Sequence, residues 1–68
     1  MRHRVVFQGR RLKAIRSQRG WSQRRLARAL RIDQSAISLL ENGRRSPHNR
    51  TLLRLLAALA VPAVYFYD

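Results

Sequence analysis

Apolar residues recur at every third or fourth position in short blocks, and a glycine or a proline stands between the blocks. This spacing places the apolar side chains on one face of an α-helix. Gly20 and Gly43 stand where a helix end takes a left-handed residue, and Pro62 suits the first turn of a further helix. Because 68 residues bury only a small core and the chain has no cysteine, helix packing must supply the stability. The pattern predicts an all-α, compact bundle.

Five helices are predicted from the caps and from the last apolar residue of each block. They cover residues 9–19, 22–31, 33–42, 49–60 and a short segment from Pro62. Ser22 and Asp33 are the predicted caps of the second and third helices. Asn49 or, less well, His48 is the predicted cap of the fourth. The last segment carries enough β-branched and aromatic residues to form a strand instead.

Basic residues outnumber acidic residues by 15 to 3, and the formal net charge is +12. This charge opposes the compact state, and a phosphate backbone relieves the repulsion while counterions are released. All the basic residues except Lys13 are arginine, whose guanidinium group suits phosphate and guanine. A GC-rich genome gives the same bias, and a basic chain can also bind a membrane surface. The charge therefore predicts a polyanionic partner without selecting DNA.

Residues 1–8 are predicted to form a basic arm, and residues 9–68 are predicted to form the folded domain. The basic residues at 2–4 either lie along DNA or are disordered. The apolar run at 5–7 is too short for the core of a signal peptide or for a membrane span. The expected compartment is the cytoplasm, in association with the nucleoid.

Residues 22–43 contain two short helices joined by a three-residue turn, and such a pair places its second helix in the major groove of DNA. The chain resembles the lambda-repressor-like helix-turn-helix family, which includes phage repressors, Cro proteins, XRE-type regulators and many antitoxins. The matching stretches are GRRLKAIRSQRGWSQRRLARAL from Gly9, IDQSAISLLENGRRSP from Ile32 and TLLRLLAALAVP from Thr51. The resemblance covers nearly the whole chain after the arm.

The resemblance implies sequence-specific contacts with double-stranded DNA. The positions that face base edges are Gln34, Ser35, Ser38 and Leu39. The positions that contact phosphate are Ser22, Gln23, Asn42, Arg44 and Arg45. A glutamine can bridge N6 and N7 of adenine, and a serine can donate or accept. Leu39 departs from the family, which usually has a polar or basic residue there, and suggests contact with a thymine methyl group instead.

The resemblance also implies a structural ion pair. The family commonly pairs an arginine of the first helix with a glutamate near the end of the third, and Arg16 and Glu41 match these positions. Such a pair fixes the third predicted helix, which is the recognition helix that enters the major groove in this family, against the first helix. Arg31 stands where the family often has glycine, so either the turn has a different backbone angle or Arg31 adopts a positive φ.

The fourth predicted helix is apolar over much of its circumference, which is more than one small core can cover. The sequence therefore predicts a homodimer whose interface is formed by Leu53, Ala57, Val64 and Tyr67. Two-fold symmetry places the two recognition helices about 34 Å apart, facing a palindromic operator.

The predicted function is transcriptional regulation by a repressor that occupies its operator. Two alternatives remain: an antitoxin that binds both a toxin and its own operator, and a basic protein that binds nucleic acid nonspecifically. No enzymatic activity and no cofactor are predicted. His3 and His48 are isolated, and the chain has no cysteine, no paired carboxylates and no glycine-rich phosphate loop, so neither catalytic residues nor a metal site are predicted.

Overall fold

A computed structural model describes residues 5–67, and these form four α-helices followed by one short 3-10 turn. The elements are α1 (Gly9–Gln18), α2 (Gln23–Leu30), α3 (Gln34–Glu41), α4 (Asn49–Leu59) and the turn Ala63–Tyr65. The predicted all-α class is confirmed. The part of the predicted arm that carries Arg2, His3 and Arg4 lies outside the described residues.

The turns between the first three helices follow from the residues that stand there. Gly20 and Gly43, which follow α1 and α3, have positive φ angles of 72° and 73°, as predicted. Ser22 caps α2, because its hydroxyl accepts a hydrogen bond from the Arg25 backbone N–H at 3.0 Å. Arg31 ends α2 in the left-handed region with φ 60° and ψ 43°, at a cost of about 1–2 kcal/mol for a residue with a side chain. The sequence analysis left two alternatives for Arg31, a different backbone angle in the turn or a positive φ, and the structure shows the positive φ.

The caps of α3 and α4 stand at residues that the sequence analysis named, but neither side chain makes a capping hydrogen bond. Asp33 occupies the cap position of α3, yet its side chain makes no capping hydrogen bond. His48, rather than Asn49, occupies the cap position of α4, and Asn49 is the first helical residue. The extended backbone of His48 lets its carbonyl accept from the Leu52 N–H at 2.8 Å, so the main chain opens α4 without a side-chain cap.

The short fifth helix predicted from Pro62 is a single 3-10 turn rather than an α-helix, and the chain after it pairs with the start of the domain. Phe7 and Tyr67 form an isolated antiparallel bridge, and the Gln8 N–H donates to the Phe66 carbonyl at 2.7 Å. The Phe7 ring lies 5.3 Å from the ring of Phe66 and 5.7 Å from that of Tyr67. Phe7 and Gln8, which the sequence analysis placed in the arm, therefore belong to the folded domain.

One core joins all the elements. Helix α2 packs against α3 and α4, and α1 packs against α3. The buried apolar residues are Phe7, Leu12, Ile15, Leu26, Ala27, Leu30, Ile37, Leu40, Leu55, Leu59 and Phe66. Among the described residues, no helix has the length and apolarity needed to cross a membrane. The core thus holds α2 and α3 together and leaves the first turn of α3 exposed.

Two arginines stabilise the carboxyl ends of helices to which they do not belong. Arg54 of α4 donates to the Leu30 carbonyl at the end of α2 at 3.2 Å. Arg19 donates to the Leu59 carbonyl at the end of α4 at 2.9 Å. Since the last carbonyls of a helix have no partner within it and carry partial negative charge, a cation there is favourable. Part of the basic content therefore contributes to the fold.

Candidate nucleic-acid interface

Helix α3 buries its inner side and exposes the two polar residues of its first turn. Ile37 and Leu40 are buried against the core, whereas Gln34 and Ser35 at the start of the helix are exposed. Ser38 and Leu39 are half-buried, so these two residues lie at the edge of the outward side. The four residues predicted to face base edges therefore all retain accessible surface, with the largest exposure in the first turn.

An ion pair anchors the other end of α3. Arg16 Nε donates to Glu41 Oε2 at 2.5 Å, and Arg16 Nη2 donates to Glu41 Oε1 at 3.2 Å. The Arg16 side chain is 11% exposed and the Glu41 side chain is 1% exposed. Because Glu41 accepts hydrogen bonds from the guanidinium group, the pKa of Arg16 is raised above its usual value, although burial acts in the opposite direction. The structure thus brings together the two residues that the sequence analysis paired.

Arg16 also ties this ion pair to the loop before α2. Its Nη1 donates to the Trp21 carbonyl at 2.7 Å, so the planar fork contacts a carboxylate on one side and a backbone oxygen on another. Across the described part of the chain, every buried side-chain nitrogen and oxygen has a hydrogen-bond partner. The Arg16–Glu41 pair is therefore a satisfied polar contact that links α1, the α1–α2 loop and α3.

Gln23 extends this contact toward the outward side of α3. Its Nε2 donates to Glu41 Oε1 at 2.9 Å, and its Oε1 accepts from Gln34 Nε2 at 3.5 Å. A line of hydrogen bonds therefore runs from the buried ion pair to the first residue of α3. The sequence analysis assigned Gln23 to phosphate contact and missed its bond to Glu41. The scarcity of acidic residues in the chain was the available signal, because a hydrogen-bond donor near Glu41 has few other carboxylates to bind.

Gly9 allows α1 to begin directly against the end of α3, a role that the sequence analysis also missed. A Cβ atom at this position would overlap the carbonyl oxygens of Leu40 and Glu41, with the latter at 2.7 Å. The position is buried, so a larger residue has no room unless α1 or α3 moves. A glycine at the predicted start of the first helix, where helix propensity disfavours it, was the available signal.

The residues predicted to clamp the DNA backbone follow α3. Asn42, Arg44 and Arg45 are exposed, and Asn42 Nδ2 donates to Ser38 Oγ at 3.3 Å. The Arg44 N–H donates to the Leu39 carbonyl at 2.9 Å, which holds the chain close to the helix end as it leaves. Ser22, predicted to contact phosphate, is exposed while its hydroxyl caps α2. Asn42, Arg44 and Arg45 thus follow α3 directly in sequence, whereas Ser22 lies at the start of α2.

The charge at the surface is almost uniformly positive. The exposed basic residues of the described part are Arg10, Lys13, Arg19, Arg24, Arg25, Arg28, Arg31, Arg44, Arg45 and Arg50. Of the acids described, Glu41 is buried against Arg16 and Asp33 is exposed. Arg25 lies over the Trp21 ring at 4.3 Å, so this half-buried tryptophan packs beneath an arginine. The electrostatic field of the surface thus attracts a polyanion.

The residues predicted to form a dimer interface differ in their exposure. Leu53 is 66% exposed and Val64 is 73% exposed, and Ala57 is exposed as well. Tyr67 is half-buried and its ring packs against Phe7. Three of the four residues are therefore available for contact, and the fourth is largely used within the chain.

Comparison with known proteins agrees with this geometry. A family model described as helix-turn-helix matches residues 12–66. The restriction-modification controller protein C.AhdI from Aeromonas hydrophila is 32% identical, with a TM-score of 0.77 over 84% of this chain and 86% of that chain. The clp gene regulator ClgR from Corynebacterium glutamicum is 30% identical, with a TM-score of 0.77 over 82% of this chain and 60% of that chain.

The regulator SinR matches in two structures. In its complex with DNA, the master regulator for biofilm formation SinR is 28% identical, with a TM-score of 0.76 over 84% of this chain and 95% of that chain. The complex of SinR with the SinI protein gives 30% identity and a TM-score of 0.72 over 78% of this chain and 52% of that chain. A search of curated proteins gives no match.

Proposed function

Since this chain belongs to the helix-turn-helix family of DNA-binding transcriptional regulators, we propose that it contacts the base edges of a specific duplex site through the outward side of α3 in the major groove. The observation that carries this proposal is the fixed position of α3. The contacts of Glu41 with Arg16 and Gln23 hold one end of the helix, while Gln34 and Ser35 remain exposed at the other.

Gln34 is the main base-contacting residue in this proposal. Its amide can donate to N7 and accept from N6 of one adenine, and the bond to Gln23 Oε1 limits the orientations that the side chain samples. Ser35 and Ser38 supply a hydroxyl each, which can donate or accept. Leu39 adds an apolar contact suited to a thymine methyl group. A good bidentate contact discriminates against the wrong base by about 1–3 kcal/mol.

The backbone contacts come from both flanks of α3. The amino end of α2, at Ser22 and Gln23, presents unpaired N–H groups and the positive end of the helix dipole to a phosphate. Asn42, Arg44 and Arg45 hold the opposite flank. Each phosphate that an arginine neutralises releases counterions, so binding weakens with added salt. These contacts set the position of the protein on the duplex and leave the sequence preference to α3.

The proposed biological role is repression by occupancy of an operator in the nucleoid. Two copies with their α3 helices one helical turn apart, about 34 Å, face a palindromic site. The exposure of Leu53, Ala57 and Val64 supports a homodimer that uses the outward side of α4.

Selection of bound duplexes from a random pool tests the proposal. The expected result is an inverted repeat whose half-sites contain at least one adenine that depends on Gln34. Recovery of random sequences at equal affinity would instead support the nonspecific nucleic-acid-binding alternative and would overturn sequence-specific regulation.

Binding to a protein partner is a second candidate function. The structure of SinR in complex with the SinI protein supports it. The antitoxin alternative requires such a partner in addition to DNA. Affinity purification from the native host, followed by reconstitution of the captured protein with this chain on the selected operator, distinguishes the two roles. A stoichiometric complex whose partner is a toxic protein would support the antitoxin, and a chain that represses its operator without any partner would support the repressor.

A further inference from the structure

A small cavity lies between α3 and the loop that leads to α4. Its volume is about 130 Å³. Its inner wall is apolar, because Leu40 is buried there and Ile32, Ala36 and Pro47 are half-buried. A cavity of about 150 Å³ with apolar walls holds a benzene molecule. This cavity therefore has room for an apolar group of about six carbon atoms.

The mouth of the cavity is polar and lacks negative charge. Arg45, Ser46 and His48 line the cavity and are exposed, and Thr51 is half-buried. All four side chains can donate a hydrogen bond. Among residues 5–67, no acidic residue lines the cavity, and neither Arg45 nor His48 makes an ion pair or a side-chain hydrogen bond with another of these residues. These donors are therefore open to an anionic group.

An apolar wall with a few polar groups at its edge is the usual form of a site for a small organic molecule. A ring or a branched chain fits against Ala36 and Leu40, and a charged group at its end then meets Arg45. A planar guanidinium group binds a carboxylate through two parallel hydrogen bonds. The cavity is therefore suited to a monocarboxylate with a compact apolar body, of about the size of benzoate.

The cavity shares residues with the proposed DNA-binding surface. Ala36 and Leu40 belong to α3, and Arg45 is one of the residues proposed to contact the DNA backbone. A carboxylate on Arg45 occupies the group that would bind a phosphate, and it adds a negative charge that repels the duplex. Ligand and DNA should therefore weaken each other's binding by the same factor, because the coupling between two sites is reciprocal.

We propose that this cavity binds a monocarboxylate with a compact apolar body and that the bound ligand weakens binding to the operator. The coupling rests on the proposed function, since it requires Arg45 to contact a phosphate of the duplex. Ligand binding itself does not require DNA and can be measured on the free chain. The domain that contacts the operator would then also sense a small organic acid.

Chemical-shift titration of the ¹⁵N-labelled free chain with sodium benzoate tests the site. Saturable shifts are expected at the backbone amides of Ile32, Ala36 and Thr51 when the ionic strength is held constant with sodium chloride. Acetate lacks the apolar body and benzyl alcohol lacks the charge, so each should bind at least about tenfold more weakly than benzoate.

Variants separate the two halves of the site. Ala36→Leu fills the cavity and should abolish the benzoate shifts, whereas Ala29→Leu adds the same group at an exposed position of α2 and should keep them. Arg45→Gln should reduce the affinity for benzoate to that for benzyl alcohol. Arg44→Gln removes an exposed arginine that does not line the cavity and should keep benzoate binding. Circular dichroism of each variant checks that the helices are retained.

Operator affinity measures the coupling. At a benzoate concentration about ten times its dissociation constant, the affinity for the selected operator should fall about tenfold, which is the value for full competition. Sodium acetate at the same concentration and ionic strength should cause no such loss. Ala36→Leu should bind the operator with the same affinity in the presence and absence of benzoate.

Different results would overturn different parts of the inference. Absence of saturable benzoate binding, or equal binding of benzyl alcohol, would rule out an anion site at the mouth of the cavity. Benzoate shifts that persist in Ala36→Leu would place the ligand elsewhere. Binding in the cavity without any loss of operator affinity would rule out the coupling. A chain that binds benzoate in the cavity and binds no selected duplex would support the site and overturn the proposed function.

Discussion

Helices α3 and α4 both bury one side in the same core, and they differ in what they present outward. The outward side of α3 is polar and its far end is held by Glu41, which is buried against Arg16 and bonded to Gln23. The outward side of α4 is apolar at Leu53 and makes no polar contact there. A polar side on an anchored helix suits hydrogen bonds to bases, whereas an apolar side suits contact with protein.

The anchoring of α3 gives the largest expected effect. Replacing Glu41 with Gln leaves the buried Arg16 guanidinium without its counter-charge, and this should lower the free energy of unfolding by about 3–5 kcal/mol. The midpoint of urea denaturation measures the change. The matched control is Asp33→Asn, an exposed acid without a side-chain capping bond, which should cost less than about 1 kcal/mol. Equal midpoints for the two variants would show that the Arg16–Glu41 ion pair does not stabilise the domain, and the contrast between α3 and α4 would then not depend on it.

The close approach of α1 to the end of α3 predicts whether a larger residue at Gly9 stabilises or destabilises the domain. Helix propensity favours Ala over Gly by about 0.5–1 kcal/mol, yet a Cβ on Gly9 would overlap the carbonyls of Leu40 and Glu41. Gly9→Ala should therefore destabilise the domain, by about 1–3 kcal/mol. Ser17→Ala, at an exposed position of α1, should be neutral or slightly stabilising in the same denaturation assay. A stabilised Gly9→Ala variant would contradict the packing of α1 on α3.

Substitutions on the outward side of α3 should weaken DNA binding and leave the stability of the domain unchanged. Gln34→Ala should cost about 1–3 kcal/mol of binding free energy on the selected operator and relax preference at one base pair of each half-site. Fluorescence anisotropy with a set of single-base variants measures both effects. Gln18→Ala removes an exposed glutamine from the end of α1 and should change neither. A uniform loss across all duplexes would show that Gln34 contacts the backbone.

The smallest expected effect lies on α4. Leu53→Ala should change the free energy of unfolding of the monomer by less than about 0.5 kcal/mol, because the side chain is 66% exposed. Leu55→Ala, two residues along the same helix and fully buried, should cost about 2–5 kcal/mol. Thermal or chemical denaturation at low protein concentration compares them. A large loss for Leu53→Ala would mean that α4 buries both of its sides within one chain.

The sequence predicted those features of the fold that depend on neighbouring residues. The glycines at 20 and 43 and the Ser22 cap act over a few positions, so their local chemistry determines the backbone. The last segment was different. Its β-branched and aromatic residues left a strand as the alternative to the predicted helix, and the structure differs because Phe66 and Tyr67 pack against Phe7 at the other end of the domain. A contact between residues so far apart in sequence leaves no local pattern.

The same distinction applies to the site. The exposed positions of α3 and the Arg16–Glu41 pair were identified through a family resemblance that relates distant parts of the chain. The roles of Gln23 and Gly9 depend on atoms of α3 that approach them only in the folded state, at 2.9 Å from Glu41 Oε1 in the first case. Residue type indicated hydrogen-bonding capacity at Gln23 and small size at Gly9, and the partner of each required three-dimensional structure.

The fold gives a third explanation for the preference for arginine over lysine, beside phosphate and guanine recognition and a GC-rich genome. Arg16 uses three nitrogens on three oxygens, two of the Glu41 carboxylate and one of the Trp21 carbonyl, and Arg19 and Arg54 each reach the carboxyl end of a separate helix. An ammonium group has no planar fork with which to satisfy a carboxylate and a carbonyl at once. A chain with lysine in place of Arg16 would keep its formal charge and its attraction to phosphate while losing the contact that joins α1, the α1–α2 loop and α3.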